Sequence, residues 1–86
     1  MGHYSKRIKS WQECRKEIGK QIRNMRLELG LPPETAAEIQ HTGTNHLLYL
    51  EDGYLKNMQI STLHALAYKY NYKLKISFEK KSSAST

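Results

Sequence analysis

The sequence predicts a mainly α domain: a bundle of four to five helices with a helix-turn-helix at its centre and one β-strand near its C-terminal end. Three observations predict it. Trp11, Cys14, Ile18, Ile22, Met25 and Leu29 recur at three- and four-residue steps, the period of one helix face. Residues 32–53, PPETAAEIQHTGTNHLLYLEDG, read as two short helices around a polar turn. Residues 72–79 alternate apolar and polar strictly, the period of a half-buried strand.

Length and composition bound the possibilities. Eighty-six residues make one domain at most. With 38% hydrophobic residues and polar ends, the core is small, and dimerisation would help it considerably. No window carries the apolar run of a membrane span, and no apolar segment follows the basic N-terminus as in a signal peptide. The single cysteine, Cys14, excludes an internal disulfide and suits a reducing cytoplasm. His3, His41, His46, His64 and Cys14 show no paired ligand spacing, so neither a metal nor a cofactor is expected.

Charge is unevenly placed. Residues 1–29 hold eight Lys/Arg against three Glu, residues 30–60 one Lys against four acids, and residues 61–86 five Lys against one Glu. A net charge of +6 suits a polyanion partner such as double-stranded DNA. The positive charge nevertheless flanks the central pair of helices and does not lie in it.

Residues 1–9 are polar and basic and read as a flexible arm, which could follow a DNA backbone or minor groove, or serve only to solubilise. Ser10-Trp11-Gln12-Glu13 has the form of a capping box and is expected to start the first helix of a domain spanning 10–79. Gly30 stops that helix. Gly19 within it marks either close packing or a break. Arg15, Lys16, Lys20 and Arg23 form its charged face.

Pro33 suits a first helical position, so the second helix is expected over about 33–40, with Ala36, Ala37 and Ile39 inward. In His41-Thr42-Gly43 the glycine is expected to take the positive φ of the turn. Thr44 is then an N-cap, Leu47 and Leu50 point inward, and Gly53 ends the third helix. Leu55, Met58 and Ile60 are expected to plug the bottom of the core. Ser61 is the expected N-cap of a last helix with Leu63, Leu66, Ala67 and Tyr70 inside, ending near Asn71. The strand follows, with Tyr72, Leu74, Ile76 and Phe78 on one face. A lone strand needs a partner for its backbone groups. The economical one is the same strand of a second copy, although a short hairpin within the chain is an alternative. Residues 80–86 are expected to be disordered.

Ile18-Gly19, Ile22-Arg23, Arg26, Gly30-Leu31, Ala37, Leu47, Leu50-Glu51, Gly53, Thr62-Leu63 and Leu66-Ala67 together resemble the Cro/repressor-type (XRE) helix-turn-helix family. The resemblance runs from about Ile18 to Tyr70. It implies that Ala37 lets two helices approach closely, and that Arg26 and Glu51 form an internal ion pair. The added strand is similar to the antitoxin and autorepressor branch, which implies a repressor or autoregulator acting as a homodimer, in some cases with a toxin or other protein partner. The chain departs from the family pattern at Pro32 and Pro33, where a Ser/Thr and a DNA-touching Gln are usual. It departs again at Ala36 and Gln40, which replace leucines, and at His41, which replaces the turn glycine.

If the third helix enters a major groove, Thr44, Asn45, His46 and Tyr49 face the bases. Asn can bond adenine bidentately, and Thr can meet a base edge or a thymine methyl. Lys20, Arg23, Lys56 and Asn57 are the candidate phosphate contacts. A protein compartment in the cytoplasm, associated with the nucleoid when bound, follows from that role. The alternative is a helix-turn-helix scaffold that binds protein through Leu48, Tyr49 and Tyr54. An enzyme is not expected: there is no Gly-rich phosphate loop, and Glu51 and Asp52 point about 100° apart on a helix.

Overall fold

A computed structural model of the chain describes residues 2–54 and 59–80, with side chains from Trp11 onward. Among the described residues are α1 (Gly2–Glu28), α2 (Pro33–Ile39), α3 (Thr44–Glu51) and α4 (Ile60–Lys69).

The first helix is the frame. Its 27 residues make a rod of roughly 40 Å at 1.5 Å per residue, and the molecule is 46 Å along its longest axis. The backbone is helical from Gly2, where the sequence predicted a loose arm over residues 1–9. No proline or glycine interrupts residues 3–18, so the helix runs back through Ser10 and the capping-box pattern marks no start. The apolar stripe packs only in its second half. Ile22 is buried, and Ile18 and Met25 are packed against the core. Trp11, Cys14 and Leu29 are exposed, because nothing among the described residues covers the two ends of that face.

The core is small and closely packed. Ile22, Ala36, Ala37, Leu47, Leu50, Leu66 and Tyr70 form it, with Ile18, Met25, Leu31 and Leu63 at its edge. Each fully buried leucine such as Leu47 contributes about 1.5–3 kcal/mol. Ala36 and Ala37 leave room for α2 to lie directly on its neighbours. Gln40, where the resemblance led one to expect leucine, is buried and donates from Nε2 to the Leu66 carbonyl at 3.1 Å, which offsets the cost of its polarity. Ile39 does not rotate inward as the sequence suggested, and remains exposed. Burial pushes the Tyr70 hydroxyl above its ordinary pKa, and the negative charge of Glu51 raises it further.

All four helices end the same way. In each, the residue after the cap takes a left-handed φ, and the next N–H bonds back five residues: Leu31 to Arg26 O, Thr42 to Ala37 O, Tyr54 to Tyr49 O and Tyr72 to Ala67 O. Gly30 and Gly53 fill two of these positions without strain. His41 (φ 56°) and Asn71 (φ 66°) fill the others. The α2–α3 turn therefore differs from the sequence expectation: His41 takes the positive φ, while Gly43, at φ −77°, is the N-cap of α3 and Thr44 its first residue. A left-handed L-residue costs roughly 1–2 kcal/mol, and glycine loses more chain entropy than most on folding. His41→Gly is therefore expected to stabilise the domain by about 1 kcal/mol, a rise in Tm of about 4–8 °C at this size. Circular dichroism melts measure it. An unchanged or lower Tm would mean that the imidazole contributes more than its backbone conformation costs.

The fourth helix begins one residue before the expected cap, with Gln59 as N-cap and Ser61 inside the first turn. Its inner face is Leu63, Leu66, Ala67 and Tyr70, as the spacing predicts. Ile60 is exposed and does not plug the core. Leu55 and Met58 lie outside the described residues.

Residues 72–80 follow the last helix without regular secondary structure, and no strand is present among the described residues. The Tyr72 hydroxyl donates to the Glu28 carboxylate and so ties the segment to the end of α1. That hydrogen bond also raises the Tyr72 pKa. Leu74 is half-buried, but Ile76 and Phe78 are exposed, Phe78 to 96%.

Candidate nucleic-acid interface

The third helix is divided sharply by burial. Leu47, Leu50 and Glu51 are buried against the rest of the chain. Asn45, His46 and Tyr49 are exposed on the other side, while Thr44 and Leu48 are partly covered. The 3.6-residue period produces this division: positions 47, 50 and 51 share one face and 45, 46 and 49 the other.

Two features fix α3 against α1. The first is packing. A Cβ placed on Gly19 would lie 2.3 Å from the Glu51 carbonyl oxygen and 2.6 Å from that of Leu50, so the helices meet backbone to backbone there. Gly19 is thus a point of close approach and not a break in α1. The second is ionic. Arg26 donates from Nε to Glu51 Oε2 at 2.7 Å and from Nη2 to Oε1 at 3.1 Å, and from Nη1 to the Leu31 carbonyl at 3.0 Å. This is the pair that the family resemblance implies. The Glu51 bonds hold the Arg26 guanidinium more basic than usual, against the opposing effect of burial.

Arg23 is placed differently from its expected role as a phosphate contact. Its Nε donates to Glu51 Oε1 at 3.2 Å, and its Nη2 donates to Asp52 Oδ1. Those bonds, the one to Asp52 foremost, raise its pKa. The guanidinium is held by two carboxylates because α1 passes the C-terminal end of α3 at this point. It remains partly exposed, so a phosphate would have to compete with Asp52 for it. The same contacts change the meaning of the acidic central segment. Two of its four acids, Glu51 and Asp52, are already countered by arginines of α1. Glu34 and Glu38 on α2 remain exposed.

Of the other phosphate candidates, Lys20 is exposed beside Gly19, and Lys56 and Asn57 lie outside the described residues. Tyr49 is not isolated. Its ring meets that of Tyr54 edge to face, with centroids 6.1 Å apart at 73°. Tyr49 is 56% exposed and Tyr54 65%. The T-shaped contact limits the motion of Tyr49 and is worth about 0.5–1.5 kcal/mol.

Sequence spacing missed one feature. An open groove of about 230 Å³ lies between the α2–α3 turn and α4, with His41, Thr42, His46, Thr62 and Lys69 among its lining residues. Lys69 and His46 are 23 residues apart in sequence, so only the packing of α4 on α2 and α3 brings them to one surface. Basic residues in the last turn of a helix were the available signal, and they are too common to single out Lys69.

Among the described residues, no group of three His, Cys, Asp or Glu side chains is placed to hold a metal ion. No helix among them is long and apolar enough to cross a membrane. Comparison with protein-family models, curated proteins and solved structures returned no match to this chain.

Proposed function

We propose that the chain is a DNA-binding regulator of the Cro/repressor type, a repressor or antitoxin-like autoregulator, which inserts α3 into the major groove as a homodimer. The observation that carries the proposal is the division of α3. Its buried side is anchored by Leu47, Leu50 and Glu51, which leaves Asn45, His46 and Tyr49 exposed on a supported helix. A reading helix needs that combination of a fixed axis and outward polar groups.

In this proposal Asn45 bonds an adenine edge, Thr44 and His46 contact neighbouring bases, and Tyr49 reaches the groove wall. Lys20 meets phosphate. The helix lacks Arg and Lys, so specificity relies on two half-sites roughly 34 Å apart and partly on DNA shape. The two-fold comes from residues 72–79 pairing with their copy. Exposed Ile76 and Phe78 support this, since pairing would cover an apolar row that the single chain leaves in water.

Two variants test the two halves. Asn45→Ala is expected to weaken specific binding by about 1–3 kcal/mol per subunit with Tm unchanged, since Asn45 is exposed. Gel shifts on DNA from upstream of the chain's own gene, at two salt concentrations, read this out. Specific binding should also fall steeply with salt. Equal affinity of the variant removes Asn45 from the interface. Ile76→Lys should convert the dimer to monomer in sedimentation, because it puts a charge into the paired row. An intact dimer would rule out the shared sheet.

A second reading is favoured by one observation. The Tyr49–Tyr54 pair beside Leu48 is an exposed aromatic patch, of the kind enriched in protein interfaces. If the scaffold binds protein there, a toxin included, no duplex will show salt-dependent specific binding.

A further inference from the structure

We infer that the groove between the α2–α3 turn and α4 is a phosphate site, with Lys69 as its fixed cation. Three properties of the groove carry this. Among the described residues, its titratable lining groups are His41, His46 and Lys69, and no carboxylate lines it. Thr42, from the α2–α3 turn, and Thr62, from α4, are the hydroxyl-bearing residues of its lining. Leu47, Leu50 and Leu66, which also line it, are buried in the core and tie the groove to the packed interior. A lysine, two imidazoles able to donate, and two hydroxyls offer donors to phosphate oxygens and no competing anion.

Lys69 also has a structural role. Its Nζ lies 3.5 Å from the Gln40 carbonyl oxygen, near the C-terminal end of α2, where a cation is favourable. That bond is at the long limit for a hydrogen bond and leaves the ammonium's other protons for a ligand. His46 belongs to both surfaces, exposed on α3 and lining the groove. A phosphate here would therefore lie against the first turn of the proposed reading helix. The ligand chemistry is a phosphate group, supplied either by the DNA backbone or by a free phosphate. The DNA source rests on the function proposed above, and the free source does not.

The test has two arms, each on the full chain. In the first, binding to a duplex is measured across salt concentrations for the natural sequence, Lys69→Gln and Lys80→Gln. The last variant removes the same charge outside the groove. A phosphate held by Lys69 predicts that the log–log salt slope falls by about 0.9 per subunit in Lys69→Gln only, and that Lys69→Arg restores it. In the second arm, inorganic phosphate is titrated at constant ionic strength while the imidazole resonances of His41 and His46 are followed by NMR. Saturating shifts that vanish in Lys69→Gln support the site and identify free phosphate as a ligand. Thr62→Val, on the exposed first turn of α4, should weaken the same saturation and replaces Lys69→Gln if that variant unfolds. Duplex binding with an unaltered slope in Lys69→Gln, together with no saturable shift, overturns the groove and leaves the DNA proposal standing. No duplex binding at all, with a Lys69-dependent phosphate titration, has the opposite consequence.

Discussion

Gly19→Ala is expected to lower the melting temperature by more than about 12 °C, and at the upper end of the effect to leave the domain unfolded at growth temperature. A methyl group at this position would meet the Glu51 carbonyl oxygen at 2.3 Å, the Leu50 carbonyl oxygen at 2.6 Å and the Glu51 carbonyl carbon at 2.7 Å. All three atoms are backbone, so no rotamer change relieves the contact. Either α3 moves away from α1 or α1 bends. Overpacking of this kind costs about 1–3 kcal/mol where side chains can give, and more where they cannot. In an exposed helix the same change would stabilise by about 1 kcal/mol, because alanine is the better helix former. The two expectations have opposite signs, which makes the measurement decisive. At about 4–8 °C per kcal/mol, a loss of roughly 3 kcal/mol is a large part of the stability of so small a domain. Gly43→Ala is the control. A Cβ there meets nothing within 4 Å, and the backbone is already in an ordinary region, so the change should stay within about 1 kcal/mol. If both variants melted alike, α1 and α3 would not touch as described. The proposed DNA binding would be affected too, because Gly19 sets how far α3 stands from the frame that orients it. A variant that survives with shifted helices should lose specific binding before it loses fold.

Much of this arrangement was legible in the sequence, and the rest failed for identifiable reasons. Helical spacing found the inner faces of α3 and α4, because Leu47, Leu50, Leu66, Ala67 and Tyr70 are buried for the reason the spacing assumes. It overran on α1, since periodicity records which residues share a face and not whether anything covers it. Trp11 and Cys14 keep the period yet remain exposed. Turn chemistry misled at His41. A glycine two residues away attracted the positive φ, whereas helix-end geometry demands it at the residue after the cap, whatever stands there. The alternation over 72–79 is intact in the sequence, but a strand is a relation between two segments, and no second segment pairs with it among the described residues. Arg23 looked like a surface cation. Its two acid partners lie 28 and 29 residues away, and a charge count along the chain treats them as separate. On α3, the outward positions Asn45, His46 and Tyr49 could be read from spacing alone, while Lys69 and the groove could not, because tertiary packing assembles them.

Glu51→Gln is expected to destabilise the domain by about 3–5 kcal/mol, through the cation it would strand and not through lost volume. Glu51 has no exposed side-chain surface and accepts three bonds from two arginines. Glutamine matches its shape but carries no charge, and its amide nitrogen faces guanidinium donors where an oxygen stood. Arg26 is buried and stays protonated at any ordinary pH, so it cannot relieve the mismatch by losing a proton. Arg23 fares better, since it is partly exposed and retains Asp52. The pair itself need not add much net stability, because both ions lost their hydration to form it. A double-mutant cycle separates the two statements. Arg26→Met with Glu51→Leu should recover most of the loss seen in either single change, because it removes both charges and fills the space with apolar atoms. Urea titrations of the four proteins supply the free energies. A small effect of Glu51→Gln would mean that water reaches Arg26, and the ionic tie holding α3 to α1 would then be weak. If instead the single variants are unstable and the double variant is stable but lacks the DNA binding proposed for the natural sequence, the ion pair is kept for orienting α3 rather than for folding. That outcome would connect this buried pair directly to the exposed face of the same helix, one turn away.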